Sequence, residues 1–231
     1  YDDRSFAVNY GKCGGIGKYE VKEFDTRQEC TKEAEGYPLE NKKGYREDCG
    51  FDFLNRICID DERYGLHPKT SHPRFAEHFA EAIYYSEGDE EAPFGSDEGH
   101  GTLFFLCKAV RKNSELDFSA FPRRSIERDW GMEYVPVGTL DADRIKEMAS
   151  SKEMDMIQSD MVTYATAFAR IKNGLPFSGF ERAGLDAIRR LALIEGVTWP
   201  ENEIRGEGWE TSGLLFEDER LVPAKKRLLA F

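Results

Sequence analysis

The chain has 231 residues and a mass of 26.4 kDa, a length that suits one large domain or two small ones. Charged residues make up 33% and the mean hydropathy is -0.61, which excludes a chain dominated by membrane spans. The formal net charge of -12 excludes a broad electropositive surface, so a polyanion has to be met by a local cluster of Lys and Arg.

No run approaches the ~20 apolar residues of a bilayer span, and Tyr1-Asp2-Asp3-Arg4 lacks the basic-then-apolar order of a signal peptide. The expected setting is the cytoplasm, with no membrane partner. Cys13, Cys30, Cys49, Cys58 and Cys107 are widely spaced and contain no Cys-x-x-Cys pair, so they read as scattered buried thiols and not as a zinc site. The chain opens without a methionine, and residues ahead of Tyr1 are expected.

Phe6, Val8 and Tyr10 alternate with polar residues, Gly11, Gly14, Gly15 and Gly17 interrupt, and Tyr19 and Val21 resume the alternation. Period-two spacing on both sides of a glycine cluster predicts a β-hairpin. Thr26 is placed to cap a helix, with Glu29 as the capping-box partner; the helix runs through Cys30, Lys32 and Ala34 and weakens at Gly36 and Pro38. A polar connector through Asp60-Asp61-Glu62 leads to Leu66-His67-Pro68-Lys69-Thr70-Ser71-His72-Pro73, a plausible domain boundary.

Beyond the connector the periodicity is helical. Phe75, Phe79 and Ile83 recur at four-residue steps after Ser71 as N-cap. An acidic, glycine-rich run from Glu87 to Gly101 precedes a helix expected from Thr102 through Arg111. Ile157, Met161, Tyr164, Phe168 and Ile171 form a longer stripe ended by Asn173-Gly174, and Leu185, Ile188, Leu191 and Ala192 form another. These stripes read as core. Trp199, Trp209, Leu214, Leu215 and Phe216 in the tail are expected to supply strands or a clasp. The fold class is therefore α+β: a small sheet plus a helix in residues 1–50, a linker over 51–73, and a mainly helical acidic domain over 74–231.

Tyr10-Gly11-Lys12-Cys13-Gly14-Gly15-Ile16-Gly17 resembles the Trp-Gly-Arg-x-Gly-x-x-Gly core of the WGR family, and Phe24-Asp25, the helix and Lys42-Lys43-Gly44-Tyr45 resemble its second half. The match covers about the first fifth of the chain, and the family's opening strand lies ahead of Tyr1. WGR modules stand beside the catalytic domains of DNA-damage-activated poly(ADP-ribose) polymerases, where they contact DNA ends; bacterial ones occur in proteins labelled molybdate-metabolism regulators and in YfeS-like chains. Leu66-His67-Pro68-x-Thr70-Ser71-His72-Pro73 and Ala92-Pro93-Phe94-Gly95-Ser96-Asp97-Glu98-Gly99 resemble the extension of the YfeS-like set. The resemblance implies weak contact with DNA or RNA through Tyr10, Gly11, Lys12, Lys18, Lys42 and Lys43. The family's Trp and Arg are replaced: Tyr10 still offers an aromatic face, whereas Lys12 offers a point charge instead of a bidentate fork. Glu20, Glu23, Glu33, Glu35 and Glu40 dilute the patch.

No ordered histidine, tyrosine and glutamate set for ADP-ribosyl transfer is present, and Trp130-Gly131-Met132-Glu133-Tyr134-Val135 reads as a packed strand or connector. No catalytic residue and no cofactor are assigned. Asp97, Glu98 and His100 are weak candidates for a divalent cation, because carboxylates on glycine-permitted turns build such sites, but the calcium-loop spacing is absent. Asp155 and Asp160 are five apart and receive no chemistry. Three functions remain: a non-catalytic, regulatory nucleic-acid-associated module whose helical part recruits another protein, a protein-interaction adaptor without a nucleic-acid role, and a divalent-metal enzyme using the acidic loop.

Overall fold

The computed structural model describes residues 4–37, 52, 55–89, 92–113, 116–175 and 180–194. The expected Lys42-Lys43-Gly44-Tyr45 motif and the aromatic tail lie outside the described residues. The molecule is α+β: a two-stranded antiparallel sheet near the N-terminus, then helices. It divides into two compact units, one of Tyr1–Glu77 with Lys172–Gly174 and one of His78–Ile171 with Leu175–Phe231. Among the described residues no helix is long and apolar enough to cross a membrane.

In the first unit, strands β1 (Ser5–Tyr10) and β2 (Lys18–Glu23) pair with Phe6 opposite Lys22, Ala7 opposite Val21, Asn9 opposite Tyr19 and Tyr10 opposite Lys18. Paired residues share a face, so the two apolar alternations read from the sequence lie on opposite faces of the hairpin. One face carries Phe6, Val8, Tyr10, Glu20 and Lys22. Helix α1 (Arg27–Gly36) covers it: Phe6 stacks on Phe24 at 5.7 Å and meets Tyr37 edge-on at 5.6 Å, Tyr37 donates to Glu20 at 3.0 Å, and Lys22 pairs with Glu33. Thr26 caps this helix, its hydroxyl accepting from the Glu29 N–H at 3.2 Å.

The opposite face carries Ser5, Ala7, Asn9, Tyr19, Val21 and Glu23, and the segment read as a connector covers it. Tyr19 donates to the Cys58 thiol at 3.5 Å, Arg56 donates to Asn9, Lys69 donates to Ser5, and His67 faces Glu23 at 3.7 Å. Cys58, Ile59, Thr70, Ser71 and His72 are buried. Within the expected linker over 51–73, the segment 56–72 thus packs as part of this unit, because a bare hairpin face exposes apolar surface that something has to cover. Burial pushes both the Tyr19 hydroxyl and the Cys58 thiol up. Lys172 is fully buried and pairs with Asp60 at 2.5 Å, while Thr70 donates to the other oxygen of the same carboxylate.

Ser71 does not cap the next helix. It follows a single 3-10 turn, Pro68–Thr70, whose N-cap is His67: its Nδ1 accepts from the Lys69 N–H at 3.1 Å. Helix α2 (Pro73–His78) is short, and the stretch expected to continue it breaks before a second 3-10 turn, Ala82–Tyr85.

In the second unit Phe79 packs on Phe168 at 5.2 Å and on Tyr84 at 5.0 Å, contacts that override the helical spacing through Ile83. Helix α3 (Asp97–Lys112) begins five residues ahead of the expected start. Ser96 caps it, accepting from the Gly99 N–H at 3.1 Å, and Asp97 and Glu98 complement the positive end of the helix dipole. The glycine that made this stretch look like a loop has a packing reason, since a Cβ on Gly99 would stand 2.6 Å from the Pro93 carbonyl oxygen.

A short helix α4 (Phe121–Arg124) runs into a π-helical turn, Ser125–Asp129, and Gly131 to Leu140 follows without regular structure. Helix α5 (Ala142–Asn173) is broken at Lys152, which has φ -135 and ψ 24. From Val162 through Arg170 every residue is buried, so the expected stripe is wider than one face. Small Ala and Thr residues permit this, and Thr163 and Thr166 satisfy their hydroxyls by donating to the carbonyls of Ser159 and Val162 at 2.7 Å. Helix α6 (Glu181–Ile194) buries Leu185, Ile188, Leu191 and Ala192 as its periodicity predicts.

Asp160, which received no role from the sequence, is buried with Arg190 of α6. Both carboxylate oxygens accept from the guanidinium, at 2.7 and 2.8 Å, and two further donors reach the carbonyls of Val135 and Pro136 at 2.6 and 2.9 Å. The partner of Asp160 comes from another helix, not from the neighbouring turn that carries Asp155. Burial pushes the Asp160 carboxyl up, to about 7, against the opposing pull of Arg190.

Two outcomes follow from these contacts. Asp160→Asn or Arg190→Met strands a buried ionic or polar partner and should cost about 3–5 kcal/mol in urea unfolding; a loss under ~1 kcal/mol would show the pair to be peripheral. Burial also holds His67 below its ordinary 6.5, outweighing the pull of Glu23. The unfolded chain therefore protonates first as the pH falls, and stability present above about 6.5 declines below it. His67→Asn keeps a capping acceptor without the titration, so its stability should fall less than the parent's between pH 7.5 and 5. Identical slopes would remove His67 from the account.

Candidate nucleic-acid interface

The turn between β1 and β2 begins at Gly11, and Gly14 and Gly17 adopt the left-handed φ values of 77 and 73. Glycine is required at position 17 on a second count. A Cβ there would stand 2.3 Å from Asn9 Oδ1 and 3.0 Å from Arg56 Nη2. That crowding marks how the turn is held: Arg56 Nη2 donates to the Ile16 carbonyl at 2.6 Å, to the Gly15 carbonyl at 3.3 Å and to Asn9 Oδ1 at 2.5 Å. A backbone bond from Gly15 N–H to the Lys12 carbonyl at 3.0 Å closes the tip.

On this fixed turn, Gly11, Lys12 and Lys18 are exposed and Tyr10 is half-buried at the end of β1. The structure therefore brings Tyr10, Gly11, Lys12 and Lys18 to one end of the hairpin; Lys42 and Lys43 lie outside the described residues. Arg63 joins them. Its Nη2 donates to the Tyr10 hydroxyl at 3.2 Å, while Nε and Nη2 donate to the two oxygens of Asp61 at 2.9 and 3.2 Å. The guanidinium also lies over the Tyr64 ring, 5.3 Å from its centroid. Hydrogen bonding from Arg63 holds the Asp61 carboxyl below the usual carboxylate range, and the charge of Lys18 adds to this.

Arg56 and Arg63 were missed by the sequence reading. They lie 46 and 53 residues from Tyr10, and no local periodicity connects them to the turn. Only the fold-back of the 56–69 segment over the hairpin does so.

The acidic loop of the second unit is arranged differently from a cation cage. Asp97 and His100 are exposed on the first turn of α3, and half-buried Glu98 turns toward α5, where it accepts from Gln158 at 2.6 Å. Among the described residues no group of three or more His, Cys, Asp or Glu side chains is placed to hold a metal ion. Cys30 and Cys58 are buried thiols, whereas Cys13 is exposed in the turn and Cys107 is half-buried, so the expectation of buried cysteines holds for two of these four.

The chain is 45% identical over 199 residues to a protein of Escherichia coli (strain K12) named uncharacterized protein YfeS, a match that covers 85% of this chain and 82% of that one. No family model matches the chain. No solved structure matches it either.

If Arg56 pins the turn, Arg56→Ala removes a charged donor from two carbonyls and an amide oxygen. The expected cost is about 1.5–3 kcal/mol of stability, with faster hydrogen exchange at Gly15. Unchanged exchange there would mean that the glycines hold the turn unaided.

Proposed function

The chain belongs to the YfeS family, and on that premise we propose that its first unit is a non-catalytic, WGR-like module that contacts nucleic acid weakly, in a regulatory role, through the tip of the hairpin. The observation that carries this reading is the grouping of an aromatic ring, Tyr10, with exposed Lys12 and Lys18 on a turn fixed from beneath by Arg56. An aromatic face beside two or three cations is what a nucleotide needs: a base stacks while its phosphates meet positive charge. The small size of the cluster limits affinity, and the net charge of -12 repels the remainder of a long polyanion.

The second unit has a different surface. In this reading the helical part takes a protein partner; its exposed Phe104 and Met154 are separate apolar side chains, on α3 and α5.

Fluorescence anisotropy with short labelled duplex DNA, single-stranded DNA and RNA at low salt tests the reading. Micromolar or weaker binding is expected, with log K falling against log[salt] at a slope of about -2 to -3 for two or three phosphate contacts. Tyr10→Ala and Lys12→Ala should each weaken it several-fold. Absence of binding at low salt, or binding indifferent to both changes, overturns the proposal.

A further inference from the structure

Arg63 carries the strongest independent observation on this surface. Its side chain is 60% exposed, yet its guanidinium does not wave freely, because Asp61, only 11% exposed, takes the Nε and Nη2 donors as a pair. The second Nη2 hydrogen is directed to the Tyr10 hydroxyl. The Nη1 edge has no hydrogen-bond acceptor among the described residues. A guanidinium fixed at Nε and by both Nη2 hydrogens leaves Nη1 as its outward donor group, directed in advance toward a charged oxygen. Lys12 and Lys18, on the turn it touches, supply point charges beside it.

We propose that Arg63 is the phosphate-binding guanidinium of this surface, its outward Nη1 group donating to a phosphodiester oxygen, with Asp61 and the Tyr10 hydroxyl as positioning groups. This rests on the nucleic-acid reading of the hairpin tip and adds the residue that orients the backbone of the ligand. Tyr10 acquires two roles: its ring is the stacking face and its hydroxyl steadies Arg63. Asp61 cancels one of the three positive charges of Lys12, Lys18 and Arg63, so orientation is gained at the expense of affinity, consistent with a weak contact. The phosphodiester chemistry is common to DNA and RNA.

The test is a set of variants measured with the same duplex DNA, single-stranded DNA and RNA probes, each variant first checked for unchanged thermal unfolding. Arg63→Ala should weaken binding about five- to tenfold and lower the steepness of the salt dependence by about one contact, roughly 0.7 to 0.9 in slope. Arg63→Lys keeps the charge without the fixed direction of the donor; it should restore the salt slope but recover less than half of the lost affinity, in log units. Tyr10→Phe, which keeps the ring, should weaken binding two- to threefold. Which probe binds tightest assigns the ligand to duplex DNA, single-stranded DNA or RNA, and the Arg63 effects should appear with that probe. If wild type binds and depends on Lys12 and on the Tyr10 ring, while Arg63→Ala and Tyr10→Phe change nothing, the inference about Arg63 fails and the proposed function stands. Full rescue by Arg63→Lys also overturns it, since a point charge would then suffice. If no probe binds, both fall together.

Discussion

A two-stranded antiparallel ribbon is marginal in water on its own, and here both of its faces carry side chains that need cover. Helix α1 and Tyr37 take the face with Phe6, and the segment from Arg56 to Thr70 takes the face with Tyr19 and Val21. Much else in the first unit follows from that second layer. The segment cannot form a strand pair with the ribbon's face, so it satisfies its polar groups singly: Arg56 with the turn carbonyls, Lys69 with Ser5, and Asp60 with Thr70 and Lys172. Crossing the hairpin from its tip to its base, it leaves Arg63 against Tyr10. The grouping at the tip is a by-product of covering the ribbon.

The second unit solves a different problem, that of putting charge inside a helical core. An isolated buried carboxylate is prohibitively costly, and Asp160 is accommodated because Arg190 saturates both of its oxygens. Arg190 in turn has three donors left, and the irregular stretch around Val135 and Pro136 supplies acceptors for two of them. That stretch has no ladder or helix of its own, so the guanidinium stands in for secondary structure. Val135 then completes an apolar cluster with Ile145 and Met156. The arrangement specifies one register of α5 against α6 more sharply than apolar packing alone would.

For the proposed contact with nucleic acid, a surface on so acidic a chain has to be small and oriented, because long-range attraction works against it. Two exposed lysines and one fixed guanidinium beside a tyrosine meet that condition. In the proposed reading Lys12 stands where the WGR motif has arginine and offers only a point charge. Arg63 supplies an oriented guanidinium close by, from a part of the chain that the motif does not include.

Local features were legible in the amino-acid order. The hairpin, the Thr26 cap, the helical stripe of α6 and the α+β class all rest on spacings within a few residues, where backbone period and capping chemistry act. The extent of α5 burial, the helical rather than looped state of Asp97 to Gly101, and the break after His78 were not legible, since each depends on what packs against it: Phe168 beside Phe79, Pro93 beside Gly99. The same holds for the site. Tyr10, Gly11, Lys12 and Lys18 could be read from the sequence because the turn that carries them is local. Arg56, Arg63 and the Asp160–Arg190 pair were decided only in the tertiary structure, because a charged side chain finds its partner by proximity in space, and no sequence period records a partner 30 to 53 residues away.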